Sequence, residues 1–150
     1  MYNIKKSLVV RLVTMLMVIA LMVPMGASAA MPETVQPYAS AYLDNYNAYV
    51  YLPGGGEVRV YFNVEGTGYM DEIGTLFIEL YESDDGSDWD CVETFNHYST
   101  SGMLSYSDDY HSGYVSYDGT AGNYYKAYVC VWAGKNGNGD SRYFWTSVKP

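Results

Sequence analysis

The stretch YYKAYVCVWAGKNGNGDSRYFWTS, Tyr124–Ser147, reads as two β-strands joined by a glycine-rich hairpin loop. Ala127, Val129, Val131 and Ala133 share one parity of the first strand, and Tyr124, Tyr128, Cys130 and Trp132 share the other. A strand with one wet face alternates apolar and polar residues. Here both parities are apolar or aromatic, so one supplies a core and the other is surplus to it.

The same period of two continues upstream. In EVRVYFNVEG, Val58, Val60, Phe62 and Val64 face one way and Arg59, Tyr61, Asn63 and Glu65 the other. GTLFIELYE sets Leu76, Ile78 and Leu80 against Thr75, Phe77, Glu79 and Tyr81. Between the runs lie LPGGGE, ESDDGSD, YDGTAGN and GKNGNGD, each supplying Gly or Asn where a turn needs φ > 0. Strands are expected near Ala41–Leu52, Glu57–Glu65, Gly74–Glu82, Trp89–Phe95, Gly113–Tyr117, Tyr124–Ala133 and Ser141–Val148, with SGMLSYSDDYH as an irregular short strand or excursion. From Tyr38 onward there is no helical apolar stripe, and there is no internal repeat. About seven short antiparallel strands predict an all-β, two-sheet sandwich from Tyr38 to Pro150. Its inward residues should include Val58, Val60, Phe62, Leu76, Ile78, Leu80, Val129 and Val131.

The first 29 residues have the form of a cleaved export signal. Lys5, Lys6 and Arg11 precede an apolar run from Leu12 to Val23; Pro24 and Gly26 break it, and Ala27-Ser28-Ala29 supplies the small residues of a cleavage site. The run is shorter than the roughly 20 residues of a spanning helix. A secreted, extracellular product is expected, free of the membrane after cleavage near Ala29. Residues 30–37, with Pro32 and Pro37, read as an extended leader. Losing three basic and no acidic residues takes the formal net charge from −9 to −12. A chain this acidic lacks the electrostatic footprint for nucleic acid. Acidity also aids solubility, and cationic partners remain open.

Two resemblances follow from these segments. LYESDDGSDWDCVETF is similar to the C–C′ hairpin of fibronectin type III and related immunoglobulin-like domains, and GTAGNYYKAYVCVWAGKNGNG to their F strand. The resemblance implies that Tyr125 is a corner tyrosine bonded back to the upstream turn. EVRVYFNVEG, in the B-strand position, has no Cys to pair with, which departs from the antibody-type disulfide pattern. GTGYMDEIGTLFIELYESDDGSDW and YYKAYVCVWAGKNGNGDSRYFWTS also resemble a family of short secreted proteins of unknown function from Gram-positive gut bacteria. That resemblance spans most of the mature chain and implies one secreted domain. It transfers no catalytic residue, and the superfold carries no function with it.

Few residue sets in the chain offer chemistry. Cys130, His97 or His111, and Arg142 are the parts of a sortase-like cysteine enzyme, but AYVCVW lacks the Thr-Leu-x-Thr-Cys pattern of such a nucleophile. Nothing nearby marks an activated thiolate, so a non-catalytic module is expected. Asp84, Asp85, Asp88 and Asp90 surround a Gly turn, yet their spacing fits no calcium-loop frame, and neither metal nor cofactor is expected. A Cys91–Cys130 disulfide would close a 39-residue loop, worth about 4 kcal/mol. In a G-F-C-C′ sheet the C strand separates the two cysteines by roughly 10 Å, which opposes it.

The surplus face is the candidate site. Pairing Val131 with Phe144 and Val129 with Thr146 sets Trp132 by Tyr143 and Cys130 by Trp145, with Phe77 and Tyr81 on the adjacent strand. Phe77, Tyr81, Tyr128, Trp132, Tyr143 and Trp145 would then share one sheet face. Such a face buries against an unknown protein partner, self-associates, or stacks on a glycan. Alternatively the N-terminal segment covers it, or cross-strand ring pairs merely stiffen the sheet.

Overall fold

A computed structural model describes residues 40–146. The expected signal (1–29), the leader (30–37) and the end of the last expected strand lie outside the described residues. The fold is all-β, and among the described residues six antiparallel strands form one hydrogen-bonded sheet: β1 (Leu43–Gly54), β2 (Glu57–Ser83), β3 (Asp90–Asn96), β4 (Leu104–Asp118), β5 (Tyr124–Lys135) and β6 (Asn138–Trp145). The expected count of seven is corrected because two expected strands are the two ends of β2, which runs unbroken for 27 residues. The fifth expected strand is also longer. The segment read as an excursion forms the first half of β4, with Leu104–Asp108 paired against Met70–Gly74.

β2 is the spine. Its first half, Glu57–Glu65, pairs with β1 on one edge and β4 on the other; its second half pairs with β5 on one edge and β3 on the other, and β6 adds to β5. One half of the sheet therefore reads β1-β2-β4, and the other β3-β2-β5-β6. The sheet curls so that β1 meets β6: the Tyr46 and Phe144 rings lie 5.3 Å apart, and Ser40 Oγ donates to Asp140 Oδ2 at 2.5 Å.

One core fills the concave side. It takes Val58, Val60, Phe62 and Val64 from the first half of β2, Ile73, Ile78 and Leu80 from the second, and Tyr125, Ala127, Val129, Val131 and Ala133 from β5. Each large aliphatic side chain so buried contributes roughly 1.5–3 kcal/mol. Leu76 is a correction to the expected core. Thr75 pairs with Val131 but Phe77 pairs with Cys130, so Leu76 is the extra residue of a β-bulge. The bulge buries Thr75 completely and leaves Leu76 only half-buried. Gly74, at φ 145°, sits just before the bulge, where a Cβ would collide with the Met103 carbonyl. That same carbonyl accepts from Thr75 N at 2.8 Å.

Candidate functional site

The last hairpin sets the site. Lys135 pairs with Asn138 across a two-residue turn in which Asn136 (φ 54°) and Gly137 (φ 75°) are both left-handed, as a type I′ turn requires. The register is Val129↔Phe144, Val131↔Arg142, Cys130↔Tyr143, Tyr128↔Trp145 and Trp132↔Ser141. This corrects the expected pairing by two residues. A slip of two preserves which face each side chain occupies and changes only its neighbours.

Five of the six expected rings meet on the outer face of β2, β5 and β6. Phe77 lies 6.3 Å from Tyr128 and 6.0 Å from Tyr143, and Tyr128 lies 6.2 Å from Tyr143 and 5.0 Å from Trp145. Tyr81 completes the group at 5.1 Å from Trp145. Phe77, Tyr81 and Tyr128 are half-buried at its base, whereas Tyr143 and Trp145 on edge strand β6 stay 56% and 50% exposed. Lys126 extends the surface: its Nζ lies 4.2 Å from the Trp89 ring centre and 4.8 Å from that of Trp145. The Tyr81 hydroxyl donates to Glu79 Oε2 at 3.1 Å, and that bond pushes its pKa up.

Trp132 does not join this cluster. Its indole lies across Gly134 and Gly139, where a Cβ on either glycine would fall 2.5–2.9 Å from ring atoms. There it lines a groove with Asp71, Glu72, Tyr106 and Asn138. Its Nε1–H is buried over Gly134 and has no acceptor among the described residues.

The cysteine-enzyme parts are not brought together. Cys130 is fully buried on the outer face, paired with Tyr143 and Phe77, and burial pushes its thiol pKa up while the Tyr143 hydrogen bond acts the other way. Arg142 pairs with Val131 and so belongs to the opposite face. His97 Nδ1 lies 3.0 Å from the Leu76 carbonyl, and His111 Nε2 lies 2.8 Å from that of Gly102. Both cysteines are free thiols, Cys91 exposed on β3, with β2 between β3 and β5. In the acidic turn, Asp85 Oδ1 accepts from Ser87 N at 2.7 Å and Asp88 N at 3.2 Å, and those bonds hold its pKa down.

A second aromatic surface escaped the sequence reading. On the outer face of the other half, Tyr49, Tyr61 and Tyr114 are directly opposite one another across β1, β2 and β4. Their centroids are 5.2 Å apart at each step, and Arg59 sits 5.3 Å over Tyr114. Tyr49 and Tyr61 are nearly parallel, at 10°. At that spacing each covers one face of the other, while Tyr49 and Tyr114 remain exposed. The outward parity of Tyr61 was legible, but its partners needed the register of three strands.

Tyr125 anchors the turn that precedes β5. Tyr125 is 1% exposed, its hydroxyl donates to Glu82 Oε1 at 2.7 Å and accepts from Thr120 N at 2.6 Å, and the Thr120 carbonyl lies 3.1 Å away. Compared with protein-family models, curated proteins and solved structures, the chain matches none.

Proposed function

We propose that the chain is a secreted, non-catalytic, immunoglobulin-like module of the fibronectin type III kind, which works by protein–protein contact through the aromatic face of β2, β5 and β6. The carrying observation is the contiguous five-ring cluster with Tyr143 and Trp145 half in solvent on an edge strand. Rigid rings bury large areas at low entropic cost, which suits the centre of an interface. The strand orders β1-β2-β4 and β6-β5-β2-β3 support the fold reading, since they match the A-B-E and G-F-C-C′ arrangement of those domains. The Tyr125 corner supports it too. So does the resemblance of the two hairpins to short secreted proteins from Gram-positive gut bacteria.

A protein partner fits this cluster better than a glycan. The five ring contacts are tilted by 27° to 59°. Such a surface interdigitates with side chains, whereas a polysaccharide needs an open coplanar strip. Glu79, which lies between Phe77 and Tyr81 on this face, and the acidic chain as a whole favour a partner with a basic rim. The test is a photo-crosslinking residue placed at Tyr143, with the same residue at Tyr51 on the opposite half as control. Cross-linking of a distinct protein from Tyr143 but not Tyr51 supports the reading; a cross-linked dimer of the chain assigns the face to self-association. Identical products from both positions, or none, would refute it.

A further inference from the structure

Trp132 marks a second site with different geometry. On the outer face, Tyr106, Glu72, Gly134 and Gly139 form one row across β4, β2, β5 and β6. Two of the four positions have no side chain, which leaves a notch in the sheet surface. The Trp132 ring lies in that notch, with one face against the glycine backbones. Above it opens a groove of about 530 Å³, lined by Asp71, Glu72, Tyr106, Lys135 and Asn138 beside the indole. That size falls in the roughly 300–1,000 Å³ range of small-molecule sites. The wall is held in place: Asp71 Oδ2 accepts from Asn136 N at 2.6 Å, tying β2 to the hairpin turn.

We infer that this groove is a saccharide subsite for a neutral pyranose. An indole backed on one face presents the other as a flat π-surface, the complement of the C–H face of a sugar ring. Around it stand acceptors (Asp71, Glu72) and donors (Lys135, Asn138, Tyr106), which suits hydroxyl groups because each both gives and takes a hydrogen bond. The paired carboxylates select against uronic acids and sialic acids by like-charge repulsion. The single stacking ring distinguishes this groove from the tilted cluster beside it, and it stands whether or not that cluster binds protein.

The test is an NMR titration of the full mature chain carrying ¹⁵N-labelled tryptophan, whose indole signals report Trp89, Trp132 and Trp145 separately. Probes are neutral disaccharides of glucose, galactose, mannose and N-acetylglucosamine, with digalacturonic acid as the anionic control. At least one neutral probe should shift the Trp132 signal saturably while leaving Trp145 in place, and digalacturonic acid should bind at least about tenfold more weakly. Trp132→Ala tests the ring itself. Tyr106→Ala removes a side chain that is 65% exposed, so it leaves the fold intact and should weaken binding about tenfold. The inference is overturned if no neutral probe shifts Trp132 at about 10 mM, ten times the millimolar scale of weak binding. It is equally overturned if the shift falls on Trp145, if the anionic probe binds as tightly, or if Tyr106→Ala changes nothing.

Discussion

Removing one oxygen atom, by Tyr125→Phe, tests how the β4–β5 corner is held. The hydroxyl donates to the Glu82 carboxylate, which also accepts from Asn123 Nδ2 at 2.8 Å and Thr120 N at 3.3 Å. Hydrogen bonds to a charged group contribute roughly 1.5–3 kcal/mol, so a loss of about 2 kcal/mol is expected at pH 7. For a domain of this size that is roughly 8 °C in Tm. Burial works to raise the Glu82 pKa, but the bonds from Tyr125, Thr120 and Asn123 outweigh it and hold the pKa below the ordinary 4.5. A depressed carboxylate stabilises the fold above its ordinary pKa and loses that contribution as pH falls through the folded value. The penalty of the variant should therefore be full at pH 7 and shrink below about pH 4. Tyr125 itself is pushed from 10.0 up to about 12, by burial first and by Glu82 second. Its share is present below pH 10 and lost as pH rises through about 12, so the variant should show a flatter alkaline limb. Urea denaturation followed by circular dichroism, at pH 3, 7 and 11, measures all three. A loss below about 0.5 kcal/mol at pH 7, or an equal loss at pH 3, would refute the corner as described.

Further outcomes follow from the core and the thiols. Thr75 is fully buried and its Oγ1 has no partner among the described residues, so Thr75→Val should leave stability unchanged or raise it by about 1 kcal/mol in chemical denaturation; a clear loss would mean the hydroxyl is satisfied. Thiol titration of the folded protein should detect Cys91 promptly and Cys130 only on unfolding, since Cys130 is buried and its thiol pKa is raised by that burial. Prompt reaction of both would contradict the ring cover over Cys130.

The alternation in β5 and in the first half of β2 was enough to identify the core, because a half-buried strand imposes a period of two. Asn136-Gly137 also carried the hairpin register, as the dipeptide of a type I′ turn; weighing it above the neighbouring glycines would have removed the two-residue error. Leu76 was not legible. Its bulge lies beside Gly74, where the Met103 carbonyl approaches from a segment far away in sequence. The gap expected between Glu65 and Gly74 does not exist, because β2 continues through it. Parity assigned Trp132 to the correct face. What drew its ring away from the cluster was the emptiness at Gly134 and Gly139, neighbours that exist only once strands are paired.

Trp145→Ala bears most directly on the contact reading when stability and binding are measured on the same sample. Trp145 is 50% exposed and shares Lys126 with Trp89, so its truncation removes about half the worth of a buried ring and a cation–π contact. The expected stability cost is below about 2 kcal/mol, together with loss of the partner cross-linked from Tyr143. A stability loss of roughly 3–5 kcal/mol with cross-linking unchanged would contradict the account, because that is the signature of a core ring.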